Sequence, residues 1–143
     1  LVQTSLNLGI LTTGEAELAA SFCVRSSIDT QKEMLSRRLE CLTGQLGGQV
    51  ERSGEYGAWE YRPDSPLREL MAAVYREQYG AEPKIETIHA GVECGLFAAK
   101  LPGLDCVSIG PDLTDIHTPR ERLSVSSTAR VWRFVKEVLR RAQ

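Results

Sequence analysis

The sequence has few of the features that assign a protein quickly. It holds two histidines, His89 and His117, and four cysteines, Cys23, Cys41, Cys94 and Cys106, with no CxxC pair among them. Finger-type zinc sites need closely spaced ligand pairs. A closed site built from His89, Cys94, Cys106 and His117 has no such spacing. A disulfide framework is also not expected in a chain with this much apolar content, and the cysteines read as small buried residues. Excess charge of either sign is absent: the formal net charge is −2, which excludes a broad basic face for nucleic acid or an anionic membrane. No apolar run reaches the ~20 residues of a membrane-crossing helix. A P-loop, an HExxH motif and a Ser/His/Asp order are all missing.

What is present supports an ordinary folded core. The 143 residues are 42% hydrophobic and 25% charged, enough for one domain or two small ones. Leu1-Val2 opens inside a strand-like pattern, so the chain is expected to be a piece of a longer polypeptide. Val2, Thr4, Leu6, Leu8 and Ile10 alternate with polar residues, which predicts a half-buried strand. Thr12-Thr13-Gly14-Glu15 is a hairpin turn. The return strand carries Ala16, Leu18, Ala20, Phe22 and Val24 on one face and Cys23 and Arg25 on the other. A helix follows, capped by Thr30 with Glu33 or by Asp29, with a stripe of Ile28, Leu35, Leu39, Leu42 and Leu46 and an end at Gly47-Gly48. Residues 49–56 read as a third strand.

Arg62-Pro63-Asp64-Ser65-Pro66 marks the domain boundary, giving units over residues 1–62 and 63–143, with Pro66 at a first helical position. Leu67, Leu70, Met71, Val74 and Tyr75 make the stripe of the next helix, which stops at Gly80. Strands are expected at Lys84–Ile88 and Leu104–Ile109, with a short helix to about Lys100 between them. A last helix is capped by Ser126 or Ser127, with a stripe of Val131, Trp132, Val135, Val138 and Leu139. The fold class is therefore α/β (α+β): an antiparallel β-β-α-β portion, then an α-β-α-β-α portion.

Three places can carry chemistry. His117 sits on a loop bounded by Gly110-Pro111 and Pro119, as a metal ligand, a base, or a loop histidine bonded to backbone. The turn His89-Ala90-Gly91-Val92-Glu93-Cys94-Gly95 joins a strand to a helix start, where backbone N–H groups suit an anionic group or the glycines serve packing. Arg25 projects from the face opposite Phe22 and Val24 and reads locally as half of a surface ion pair. Asp112 and Asp115 read as solvated loop acids.

The blocks VQTSLNLG, RSSIDTQKEM, IHAGVECGLF and LPGLDCVSIGPDLTDIHTPRERLSVSS stand in order along nearly the whole chain. Together they resemble the C-terminal part of the aminoacyl-histidine (Xaa-His) dipeptidases, a carnosinase-like group of dinuclear zinc metallopeptidases. The resemblance implies a cytoplasmic, homo-oligomeric enzyme that hydrolyses Xaa-His dipeptides with a zinc-activated water. Residues 1–62 would be the end of a lid or dimerisation domain and residues 63–143 the end of the catalytic domain. His117 would be the final zinc ligand. Gly91 would bring backbone to the substrate, and Arg25 would meet the substrate carboxylate. The family's other metal ligands and its glutamate base lie in an N-terminal part that nothing here matches. The chain alone is therefore expected to be inactive and to hold no zinc. The alternative is a non-catalytic assembly or binding module derived from that fold.

Overall fold

A computed structural model describes residues 2–88 and 93–142. The architecture is mixed α/β, with four helices and two antiparallel strand pairs among the described residues. In chain order these are β1 (Thr4–Thr13), β2 (Leu18–Ser26), α1 (Asp29–Gln45), α2 (Pro66–Tyr79), α3 (Glu93–Lys100), β3 (Leu113–Thr114), β4 (Arg122–Leu123) and α4 (Val125–Arg141). The chain divides into two units, one of Leu1–Tyr61 and Glu86–Leu104, the other of Arg62–Ile85 and Asp105–Gln143.

In the first unit, β1 and β2 form the expected hairpin. The Gly14 N–H donates to the Glu17 carbonyl at 2.8 Å and closes the turn. The alternation predicted for β1 holds only as far as Leu8. Leu6 pairs with Val24 and Leu8 with Phe22, but Ile10 pairs with Ser21 and Leu11 with Ala20. Gly9 is thus an extra residue in β1, a bulge that shifts the side-chain parity by one. Leu11 replaces Ile10 on the apolar face, and Ile10 moves to the polar face, 64% exposed.

α1 packs on this hairpin, mainly against β2. Its start differs from the sequence expectation. Ile28 occupies the cap position without a side-chain bond, and the Ser26 hydroxyl accepts the Ile28 N–H at 3.0 Å. Asp29 is already helical, and its carboxylate accepts the Ala58 N–H at 2.7 Å beside Lys32 at 3.2 Å. Glu33 is recruited by Arg52 and Arg37 instead of closing a capping box. The C-terminal end follows expectation. Gly47 takes φ 80°, and the Gly48 N–H reaches the Thr43 carbonyl while the Gly47 N–H reaches Gly44, a Schellman closure. Leu35 and Leu39 are half-buried, whereas Leu42 and Leu46 at the end of the predicted stripe are exposed.

Residues 49–56, expected as a third strand, form no regular element, and Gly54 turns the chain at φ 64°. They are tied to α1 by side chains. Arg52 meets Glu40 at 2.6 Å, Glu33 at 2.8 Å and Glu55 at 3.4 Å, and the Lys32 ammonium donates to the Tyr56 carbonyl. The next stretch crosses α3 where Gly57 meets Gly95 and Ala99. A Cβ on Gly57 would fall 2.8 Å from the Ala99 Cβ, so the crossing requires glycine.

The second unit is centred on α2 and α4. Val74, Phe134 and Val138 are its buried core, with Leu67, Leu70, Met71, Tyr75 and Tyr79 packed around them. The α2 stripe is therefore the predicted one. On α4, Val138 of the predicted stripe is buried and Val131 and Val135 are half-buried, but Phe134 joins the core in place of Trp132 and Leu139, which are each 64% exposed. Tyr75 stacks edge-on against Phe134 with centroids 6.0 Å apart. The Tyr79 hydroxyl donates to the Arg130 carbonyl at 3.0 Å. No strand forms at the expected Lys84–Ile88 or Leu104–Ile109 among the described residues. A strand needs a neighbour to complete its backbone ladder, and neither segment joins the two strand pairs, β1-β2 and β3-β4.

The N-terminus of α2 is closed by two residues far apart in sequence. Ser65 caps the helix by accepting the Arg68 N–H at 3.1 Å. Its hydroxyl donates to Asp105 Oδ1 at 2.7 Å, and the Leu67 N–H donates to Oδ2 at 2.9 Å. Burial works against the Asp105 charge, but these two donors, with Arg62 and Arg68 nearby, bring its pKa below the ordinary value.

Candidate functional site

His117 stands at the tip of a short hairpin that the sequence builds from both ends. Asp112 anchors its base. The Asp112 N–H donates to the Ser127 hydroxyl at 2.8 Å, its carbonyl accepts the Ser124 N–H at 3.0 Å, and its carboxylate pairs with Arg130 at 3.2 Å. Leu113 then pairs with Leu123 and Thr114 with Arg122. Because Leu123 is held in β4, the cap of α4 falls on the next residue. Ser124 accepts the Ser127 N–H at 3.3 Å, correcting the expected cap at Ser126 or Ser127. Ser127 is instead buried in the first turn, where its hydroxyl serves both Asp112 and the Ser124 carbonyl.

Between the two short strands the backbone turns sharply. Asp115 has φ 52° and His117 φ 65°, the left-handed region that non-glycine residues rarely occupy. The Thr118 hydroxyl and N–H both donate to the Asp115 carbonyl, at 2.7 and 3.2 Å, and the Glu121 N–H donates to the Thr118 carbonyl at 3.1 Å. The Glu121 carboxylate accepts the His117 N–H at 2.9 Å. His117 itself is exposed. The strain of two left-handed residues is held by this closed set of bonds, and the imidazole is presented to its surroundings.

Arg25 lies on β2 opposite Ser5, exposed, on the face that also carries Cys23 and Asn7. The strand parity read from the sequence is correct here, since the bulge at Gly9 lies farther along the ladder. The neighbouring Cys23 side chain raises the Arg25 pKa further above its already high value. Arg25 belongs to the first unit and His117 to the second. Gly91 and His89 lie outside the described residues. Glu93 opens α3, and Gly95 is buried where α3 meets Gly57 and Trp59, so this glycine serves packing.

The cysteines are not uniformly buried as expected. None of the four is in a disulfide; Cys94 and Cys106 are half-buried and Cys23 and Cys41 exposed. A catalytic zinc takes three protein ligands and an open position. Among the described residues no three His, Cys, Asp or Glu side chains are grouped so that they could hold a metal ion. Among these residues the donor set does not fit a zinc centre: it offers one imidazole, His117, on a preformed loop.

Sequence reasoning missed three polar residues. Asp105 closes α2 from 40 residues away, with no local signal. Arg52 organises four acid contacts with α1 and its own segment, and only its position among glutamates hinted at this. Glu121 was readable in principle, as an acid four residues after a histidine across a proline turn.

The chain is 35% identical over 140 residues to the cytosol non-specific dipeptidase of Escherichia coli (strain K12), a match that covers 98% of this chain and 29% of that protein. It superposes on the crystal structure of aminoacylhistidine dipeptidase from Vibrio alginolyticus with a TM-score of 0.81 at 35% identity, over 94% of this chain and 28% of that one. The chain thus spans under a third of the length of either relative. Residues 8–141 match the family described as peptidase family M20/M25/M40, and the chain belongs to that family.

Proposed function

We propose that this chain supplies the C-terminal part of a metal-dependent dipeptidase acting on Xaa-His dipeptides, and that by itself it is inactive. The observation that carries this is the end-to-end match to under a third of two dipeptidases, with a histidine held on a strained, fully bonded loop. In this reading His117 contributes one zinc ligand to an assembled centre. Arg25 contributes a guanidinium fork suited to the substrate carboxylate, and the turn at Gly91 contributes backbone donors. Residues 1–62 are the end of the lid or dimerisation domain and residues 63–143 the end of the catalytic domain. The assembled enzyme is a cytoplasmic homo-oligomer. A second reading, a non-catalytic assembly module, draws support from the hairpin, where Leu6, Leu8, Leu11, Leu18 and Phe22 are all 42–66% exposed. Such surfaces mark contact sites.

The test is a chimera in which this chain replaces the matching part of the Escherichia coli dipeptidase, assayed for hydrolysis of Xaa-His dipeptides beside the isolated chain. The expected result is an active chimera, lost on His117→Ala and weakened mainly in KM by Arg25→Ala. The isolated chain should show neither hydrolysis nor stoichiometric zinc binding. Turnover by the isolated chain, or a His117→Ala chimera as active as its parent, overturns the proposal.

A further inference from the structure

We infer that Glu121 is a positioning residue whose carboxylate holds His117 in the left-handed conformation and so fixes where the imidazole is presented. The inference rests on reading His117 as a metal ligand, but its structural content stands apart from the metal. A left-handed L-residue brings its Cβ close to a carbonyl oxygen and reverts to negative φ unless something retains it. The His117 N–H donates to Glu121 Oε2 at 2.9 Å, and a charged acceptor makes the stronger kind of hydrogen bond. Glu121 is itself placed by its own N–H on the Thr118 carbonyl, and Thr118 is locked to Asp115. Pro119 lies between the two partners. The carboxylate thus reaches back over a rigid turn and grips the backbone of His117. That leaves the imidazole untouched for an outside ligand. Groups that hydrogen-bond to a metal-binding histidine set the direction in which it points. The usual arrangement bonds the ring's second nitrogen, whereas here the grip is on the main chain.

The test is NMR of the intact chain and its Glu121→Gln and Glu121→Ala variants. A positive φ gives a strong intraresidue HN–Hα NOE, which should be present at His117 in the parent. Glu121→Gln keeps a carbonyl acceptor and should retain the NOE. Glu121→Ala should lose it, with His117 amide exchange about tenfold faster. Thr118→Val, which loosens the same turn without touching the His117 N–H, should retain the NOE and shows that the loss is not general unfolding. Zinc added to each variant then reports separately on the ring. A persistent NOE in a folded Glu121→Ala variant overturns the positioning role whatever zinc does. Loss of the NOE in Glu121→Ala alone supports it, even if zinc leaves the His117 ring signals unmoved and the ligand reading falls.

Discussion

Replacing Asp105 tests how much of the second unit depends on one side chain. In Asp105→Ala the Ser65 hydroxyl and the Leu67 N–H both lose a charged acceptor, at 2.7 and 2.9 Å. Hydrogen bonds to charged groups contribute about 1.5–3 kcal/mol each. Asp105 is only half-buried, so water recovers part of that, and a loss of about 3 kcal/mol is expected for the pair. Asp105→Asn keeps one acceptor and places an amide NH2 against a donor, so it should cost about 1.5 kcal/mol. For a unit of 60–100 residues, ~1 kcal/mol moves Tm by ~4–8 °C, so the alanine variant should melt more than about 10 °C lower. The pH dependence has a definite sign. The folded pKa of Asp105 lies below its ordinary value, so its stabilisation is complete above the unfolded pKa of about 3.9 and fades as pH falls through the folded pKa. Thermal unfolding by circular dichroism at pH 7 and in steps down to about pH 2 would show the gap between parent and Asp105→Ala closing on the acid side. A gap under ~0.5 kcal/mol at pH 7, or a gap of constant size throughout, would falsify the account of α2 closure given above.

Three further outcomes are expected. His117→Gly removes a left-handed L-residue, worth about 1–2 kcal/mol, but adds unfolded-state freedom worth about 0.5–1 kcal/mol. Denaturant unfolding should therefore show a gain of about 0.5–1 kcal/mol, and a clear destabilisation would mean that the imidazole is structural. Glu33 and Glu137 titrate at about 2, Glu33 because of Arg52 and then Arg37, Glu137 because of Arg140 and then Arg141. Their pairing contributes above pH ~4.5 and is lost as pH falls toward 2; carboxyl carbon shifts should show both low midpoints, and Arg52→Ala should return Glu33 toward the usual range. Gly57→Ala drives a methyl to 2.8 Å from the Ala99 Cβ and should cost about 1–3 kcal/mol in an unfolding titration, whereas Gly44→Ala, with open space around it, should not destabilise.

The parts of the fold that were legible in the sequence are those whose causes are local. The hairpin turn at Gly14, the glycine stops at Gly47 and Gly80, and the Ser65-Pro66 entry to α2 each follow from residues next to one another. The losses have identifiable physics. Gly9 read as one more polar position in an alternating strand, although a glycine there also permits the bulge that moved Ile10 to the other face. The segments at 49–56, 84–88 and 104–109 had the right composition for strands, but composition does not provide a neighbour. Phe134 was passed over for Trp132 because helical periodicity ranks faces by apolarity and cannot tell which face α2 will meet. At the candidate site, the parity that exposes Arg25 and the proline-bounded loop at His117 were both visible. The left-handed backbone and the Glu121 grip were not, since they depend on how Thr114 and Arg122 come into register.

The two-part composition of the second unit has a consequence for the order of folding. Its chain leaves at Ile85 and comes back at Asp105, so residues 86–104 are an excursion that must be completed first. Bringing Asp105 to Ser65 closes a loop of 40 residues, at an entropic cost of roughly 3 kcal/mol beyond a constant. Until then α2 has its serine and proline but not the carboxylate. The helix is therefore expected to form early and loosely and to lock late. The first unit needs the same excursion, because α3 comes from it, so each unit waits on a segment that the other interrupts in the sequence. Chain connectivity alone then favours one cooperative transition where two independent ones would otherwise be expected.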